Sequence, residues 1–224
     1  MEFKFPHTPH LAWLGPGVPR ADKVLSPDEA EDFLRRPVVV EEKIDGANVG
    51  IFLDERGEPM AKNRGTILGR GDHPQFQALW PWLATHREAL REGLGEHLAL
   101  FGEWCFAVHS VRYDALPDYF IAFDVYEPRA GRFWCSARRN AWAAQHGICT
   151  APQVAQGRFT LHELEVLVGS LQSQFATHAA EGIYLRQDDG EWLGARAKLV
   201  RPEFVQAIGE HWTKQALERN HLRR

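Results

Sequence analysis

The sequence predicts an α+β fold built on a largely antiparallel sheet. Three observations carry this: β-branched or alternating runs separated by tight turn signals, helices that open at recognisable caps, and no strand–helix alternation of the kind that builds a parallel sheet. A chain of 224 residues fits one catalytic-size domain that needs no disulfide or metal staple to fold. With 44% hydrophobic and 25% charged residues, it has the composition of a packed chain and not of a disordered one.

The elements follow in order. Residues 1–25 are irregular, punctuated by Pro6, Pro9, Gly15, Pro16, Gly17 and Pro19. Ser26-Pro27-Asp28-Glu29 opens a helix, with a serine cap, proline in the first helical position and glutamate three residues after the cap. Ala30, Phe33 and Leu34 form its apolar face and Pro37 ends it. Residues 38–44 are a β-branched strand closed by Asp45-Gly46. Residues 49–53 form a second strand, and Asp54-Glu55-Arg56-Gly57 turns into a third at 59–62, as in a hairpin. Asp72 is placed as the cap of a helix carrying Phe76, Leu79, Trp80, Leu83 and Leu90, which Pro81 should kink or split. Strands follow at 97–106 and 119–126, and a turn at 128–131 leads into 132–135. Ser136 is expected to cap a helix ending at Gly147, and Thr160-x-x-Glu163 is a capping box ahead of Leu164, Val166 and Leu167. A last hairpin joins 181–186 to 191–200 through Asp188-Asp189-Gly190. Pro202 then opens a C-terminal helix with Phe204, Val205, Ile208 and Trp212. With no internal repeat and no convincing linker, residues 1–224 are expected to form a single domain.

Composition narrows function less. Cys105, Cys135 and Cys149 are an odd number without a C-x-x-C pair, which disfavours a disulfide framework or zinc knuckle. Eleven histidines contain no H-E-x-x-H and read individually as surface or core residues. A net charge of −4 neither announces nor excludes a nucleic-acid partner, since binding depends on a local basic face. No apolar run reaches the ~20 residues of a membrane span. The N-terminus lacks the pattern of a signal peptide, so a cytoplasmic location and no membrane partner are the expectation.

The chemistry concentrates in Glu42-Lys43-Ile44-Asp45-Gly46-Ala47-Asn48. Strand alternation puts Lys43 and Asp45 on one face and Glu42 on the other. A nucleophilic lysine must shed its proton, which burial or a nearby cation promotes. Asp45 could hold such a cation through water. Taken alone, K-x-D-G reads equally as a solvated hairpin turn. Further along stand Lys62-Asn63-Arg64-Gly65, Phe101-Gly102-Glu103-Trp104, residues 120–126, Glu181-Gly182-Ile183-Tyr184 and Arg196-Ala197-Lys198.

This ordered set resembles the covalent nucleotidyltransferase superfamily of polynucleotide ligases and capping enzymes, over residues 41–198. Lys-Ile-Asp-Gly-Ala-Asn, with Asn48 five after the lysine, looks like the ATP-dependent RNA ligase 2 type. The resemblance implies an antiparallel-sheet adenylation domain, ATP-grasp-like in form and flanked by helices. It also implies sealing through lysyl-AMP: lysine takes AMP from ATP, AMP passes to an RNA 5′-phosphate, and a 3′-hydroxyl displaces it. The catalytic residues it implies are Lys43, Asp45, Glu103, Glu181 and Lys198. Asp45, Glu103 and Glu181 would hold hydrated Mg2+ or Mn2+. Asn48 and Arg64 would meet the ribose-phosphate, Phe123 would stack on adenine, and Glu42 would help position the nucleotide. Lys198 would grip the α-phosphate, with Arg186 and Arg196 as further nucleotide-binding residues. At both arginines the family usually carries lysine; arginine keeps the charge but is planar and permanently protonated.

Only 26 residues follow Lys198, so no appended OB or helical domain is expected, and a protein partner could supply one. Arg201, Lys214, Arg219, Arg223 and Arg224 make the end basic, either as a phosphate-backbone patch or as a solvated helix face. Arg138-Arg139 reads as solvated surface. Residues 6–11 are a candidate lining of the nucleotide pocket. A ligase for DNA or mixed RNA–DNA nicks, and a nucleotide- or RNA-end-binding module of a larger complex, are the alternatives left open by the sequence.

Overall fold

The computed structural model describes residues 4–17, 19, 23–63, 65–95, 97–207 and 217–223. In chain order the elements begin with α1 (Pro27–Leu34), β1 (Val38–Glu42), β2 (Ala47–Leu53), β3 (Pro59–Asn63), β4 (Thr66–Ile67), α2 (Leu79–Thr85), α3 (Arg87–Leu94), β5 (Ala99–Trp104) and β6 (Phe120–Glu127). They continue with β7 (Arg132–Phe133), α4 (Ser136–Gln145), β8 (Gln153–Gly157), α5 (Leu161–Ser170), β9 (Gly182–Asp189), β10 (Trp192–Val200) and α6 (Pro202–Ala207). The strands form two sheets, ordered β10-β9-β1-β8 and β4-β3-β2-β5-β6-β7, and every strand pair in them is antiparallel.

Period-two alternation decides which side chains meet. In the four-stranded sheet Val38, Val40, Ile183, Leu185, Ala197 and Leu199 pack on Ala30 and Phe33 of α1 and on Leu164 and Val168 of α5. The rows Glu41–Tyr184–Lys198 and Val39–Arg186–Arg196 lie in register across β1, β9 and β10 and turn to the opposite face. In the six-stranded sheet Val49, Ile51 and Leu100 pack on Leu79, Trp82, Leu83, Leu90 and Leu94 of α2 and α3.

Between the sheets lies a polar network instead of an apolar core. Arg139 of α4 is fully buried; it pairs with the buried Glu41 and donates to the Phe123 carbonyl at 2.6 Å. Arg186 is equally buried and donates to that same carbonyl at 2.9 Å, to Asp124 at 2.6 Å, to Ser136 Oγ and to the Trp134 carbonyl. Arg196 holds the second Asp124 oxygen. The surface reading of Arg138-Arg139 is thus corrected. Arg139 is core, and Arg138 lies over the Trp134 and Trp192 rings and pairs with Glu127.

Both capping boxes form, at Ser26–Glu29 and Thr160–Glu163. Three other local expectations are corrected. Asp72 closes a turn onto the Gly69 N–H, and only a 3-10 turn at Pro74–Phe76, capped by His73, follows it. Pro81 sits in the first turn of α2, where its missing N–H has no partner to lose; the helix breaks at His86. Cys135 caps α4, which frees the Ser136 hydroxyl for Arg186. Strand β8 was not expected from sequence. Ile208 and Trp212, assigned to the C-terminal helix, lie outside the described residues. Among the described residues no helix is long and apolar enough to cross a membrane.

Removing one member of a buried ion pair strands the other. Arg139→Leu should therefore cost about 3–5 kcal/mol, read by denaturant unfolding. Adding Glu41→Leu should recover most of that loss. Additive losses would show that the two side chains are not coupled.

Candidate active site

A cavity of about 730 Å3 opens between the sheets, lined by residues that lie far apart in sequence. The four-stranded sheet contributes Glu41, Glu42, Lys43, Tyr184 and Lys198. Asn48, Glu103, Ile121 and Phe123 come from the other sheet, and Lys4, Phe5, Pro6, His7 and Thr8 from the N-terminal segment. Residues 9–11 fasten that segment to β10: the Lys198 N–H donates to the Pro9 carbonyl, and the Leu11 N–H donates to the Lys198 carbonyl. The expectation that residues 6–11 line the pocket is met by Pro6, His7 and Thr8.

Lys43 leaves the end of β1 with its N–H still bonded to the Gly182 carbonyl. Its Nζ lies 2.5 Å from Glu181 Oε2. Burial works to lower the lysine pKa, but the carboxylates of Glu181, Asp45 and Glu103 together outweigh it and hold the ammonium protonated. Burial also pushes Glu181 up to about 7, with Lys43 pulling the other way. Lys198 is lowered to about 8, by burial and then by Lys43. The buried His10, beside both lysines, is lowered to about 4 for the same reasons.

Two glycines let the motifs approach. A Cβ at Gly182 would stand 2.2 Å from the Leu199 carbonyl oxygen, and one at Gly46 would stand 2.8 Å from the Trp104 carbonyl oxygen. Neither has a positive φ, so the requirement at Gly46 is space and not the sharp turn that its sequence context suggests.

The structure gathers Lys43, Glu103, Asn48, Phe123 and Lys198 at the cavity. Glu181 reaches it through its ion pair with Lys43. Asn48 and Glu103 are direct neighbours across β2 and β5. Asp45 is two residues from Lys43, and its Oδ2 accepts from the Ser110 and Val111 N–H groups at 2.6 and 2.9 Å. The Glu42 carboxylate turns away, as alternation requires. It accepts from Ser173 Oγ and the Gln174 N–H, so its side chain fixes a loop, and burial raises its pKa.

Arg186 and Arg196 correct the nucleotide-binding expectation. Both are committed to Asp124, and neither is among the described residues lining the cavity. Arg196 also lies over the Phe5 and Phe133 rings. Arg64 lies outside the described residues. Sequence reasoning missed Tyr184 as a site residue, although it quoted the motif that contains it. Its ring is near-parallel to Phe123, 25° apart in plane with centroids separated by 6.5 Å, and its hydroxyl bonds to Thr8 Oγ1. Register was the available signal, because Tyr184 sits opposite Lys198.

The donor set of Asp45, Glu103 and Glu181, all acting on one ammonium, is hard oxygen chemistry suited to a hydrated divalent cation. Among the described residues, no three histidine, cysteine or acidic side chains converge closely enough to ligate a metal directly.

Two antiparallel sheets thus enclose a lysine set among carboxylates. Residues 36–200 match the RNA ligase family model, and the chain belongs to that family. Solved structures of Naegleria gruberi RNA ligase share the fold. A mutant of that enzyme with ATP and Mn is 16% identical with a TM-score of 0.68, covering 91% of this chain and 57% of that one. The same enzyme with PPi is 18% identical with a TM-score of 0.60, covering 79% of this chain and 52% of that one. The chain thus spans a little over half the length of these solved relatives, and at such identity the likeness is one of fold. No curated protein sequence matches the chain.

Glu181 is the nearest carboxylate to Lys43, so Glu181→Gln should lower the lysine pKa. An amine-acylating reagent at pH 9 should then modify Lys43 faster in the variant than in the parent protein, as read by peptide mass spectrometry. Equal rates would show that Glu181 does not hold the ammonium.

Proposed function

We propose that this chain is an ATP-dependent RNA ligase that works through AMP carried covalently on Lys43. The observation behind this reading is the placement of Lys43: a lysine lining a two-sheet cavity, ion-paired to Glu181 and sharing that lining with Lys198, Asn48, Glu103 and the rings of Phe123 and Tyr184. The family match supports RNA as the substrate. The Naegleria structures with ATP and Mn, and with AMP and Mn, support the cofactors ATP and a divalent ion such as Mg2+ or Mn2+.

Lys43 Nζ must be neutral to attack. A divalent cation held through water by Asp45, Glu103 and Glu181 would supply positive charge that replaces that of the ammonium and offsets the phosphoryl oxygens. The proton then passes from Nζ to Glu181 Oε2, whose raised pKa suits it to accept. Nζ forms a bond to the α-phosphorus, and the bond to pyrophosphate breaks. Lys198 carries its charge against the phosphate, which restores the protonation that burial weakens. The base lies between Phe123 and Tyr184. Transfer to an RNA 5′-phosphate frees Lys43, and a 3′-hydroxyl then displaces AMP and seals the strand. Residues 1–224 act in this reading as one nucleotidyltransferase unit.

Incubation with labelled ATP or GTP and Mg2+ tests the reading. AMP should appear on Lys43 by mass spectrometry, and Lys43→Ala should abolish it; AMP on a different lysine would overturn the assignment. Because base–aromatic stacking contributes about 1–3 kcal/mol, Phe123→Ala should raise the ATP concentration for half-maximal labelling about 10–100-fold. Labelling should fall as pH drops below about 7, where Glu181 Oε2 is already protonated.

A further inference from the structure

Arg219 and Arg223, read from sequence as part of either a phosphate-backbone patch or a solvated helix face, lie in residues 217–223. These residues run as an extended segment across the connection from β5 to β6. Ala107 bridges to Arg219 and Leu116 to Leu222. Arg219 covers the Phe106 ring. Arg201 is not free for RNA either, since its guanidinium donates to the carbonyls of Val168, Gly169 and Leu171 at the end of α5. Lys214 and Arg224 lie outside the described residues.

At the centre of the segment is Asn220, buried and fully engaged. Its Oδ1 accepts the Tyr113 N–H at 2.7 Å, and its Nδ2 donates to the Cys105 and Ala107 carbonyls at 2.9 and 3.1 Å. The neighbouring His221 N–H donates to the Tyr113 carbonyl at 2.9 Å. Only an amide side chain offers one acceptor and two donors in a fixed plane.

Tyr113 passes this order on. Its hydroxyl accepts the Asp45 N–H at 2.8 Å. The same connection supplies the Ser110 and Val111 N–H groups that hold Asp45 Oδ2. Ile44, between Lys43 and Asp45, packs on Cys105, Val111, Tyr113 and Leu116. The turn that follows the lysine is therefore moulded by a connection that the C-terminal segment locks.

We propose that Asn220 and Tyr113 are positioning residues that hold Asp45, and through it the turn after Lys43, in the geometry needed for adenylylation. The proposal rests on the reading of Lys43 as the AMP acceptor. Displacing a group at a reacting centre by ~1 Å can cost on the order of 100-fold in rate, so small changes here should be visible.

The test uses the full chain with labelled ATP and varied Mg2+. If the parent protein takes no label on Lys43, the nucleotidyltransferase reading fails and not this one. If it labels, Tyr113→Phe, which removes only the hydroxyl, should slow single-turnover labelling roughly tenfold and raise the Mg2+ needed for half-maximal rate. The ATP requirement should stay within about twofold, because transition-state geometry is lost and ground-state binding is not. Asn220→Asp keeps the shape and the acceptor but removes both donors, and it should act the same way. Arg35→Ala removes an exposed ion pair to Glu31 on α1, outside both the connection and the C-terminal segment, and it should label at the parent rate. Should Asn220→Asp fail to fold, Tyr113→Phe decides alone. A folded Tyr113→Phe that labels at the parent rate with the parent Mg2+ requirement overturns the proposal, as does a change confined to the ATP requirement.

Discussion

Two arginines donating to one carbonyl oxygen, that of Phe123, hold the two sheets at a fixed separation. Each arginine brings a buried carboxylate, Glu41 for Arg139 and Asp124 for Arg186. Buried charges of this kind add little net stability over an apolar core, but they accept only one geometry. That geometry sets the distance between the Phe123 ring and the face bearing Tyr184, Lys198 and Lys43, and so the width of the cavity. The network also explains why arginine stands at 186 and 196. The two positions face each other across β9 and β10 and share Asp124. Arg186 reaches one Asp124 oxygen, the Phe123 and Trp134 carbonyls and Ser136 Oγ at once, which needs several donors in a fixed fork that lysine lacks.

Much of the fold was legible because its signals are local. The two capping boxes, the β-branched run before Lys43 and the Asp188-Asp189-Gly190 hairpin each carry their cause within a few residues. Strand β8 did not, because Gln153-Val154-Ala155-Gln156-Gly157 has a weak pattern and becomes a strand by pairing with β1. Arg139 misled for a related reason: two adjacent arginines on a helix look solvated until a buried glutamate from another strand meets one of them. Within the site, Lys43, Glu103, Asn48, Phe123 and Lys198 were legible from motif order. What sequence could not assign was direction. Alternation turns the Glu42 carboxylate away from the cavity, whereas Tyr184 and Arg186 share one face of β9 and differ in their partners: Tyr184 lines the cavity and Arg186 is taken by Asp124.

The electrostatics of the cavity are those of a resting state. Lys43 is surrounded by carboxylates that stabilise its ammonium, and burial raises Glu181 while that same ammonium pulls it down. For the proposed attack the lysine carries one proton too many, and the carboxylate that would take it stands beside it. In the proposed mechanism a triphosphate and its counter-ions would redistribute charge among Lys43, Glu181 and Lys198 together, which would couple activation of the lysine to substrate arrival. Such coupling would limit idle reactivity of the amine.

The N-terminal segment that lines the cavity mouth has a second consequence. Strand β10 is at one end of its sheet, and an uncovered edge strand invites pairing with other chains. Residues 9–11 occupy that edge through the backbone of Lys198 itself. The same few hydrogen bonds therefore cover a sheet edge and fasten one wall of the cavity. A lesion that loosens the segment would present to solution both an open pocket and a template for aggregation.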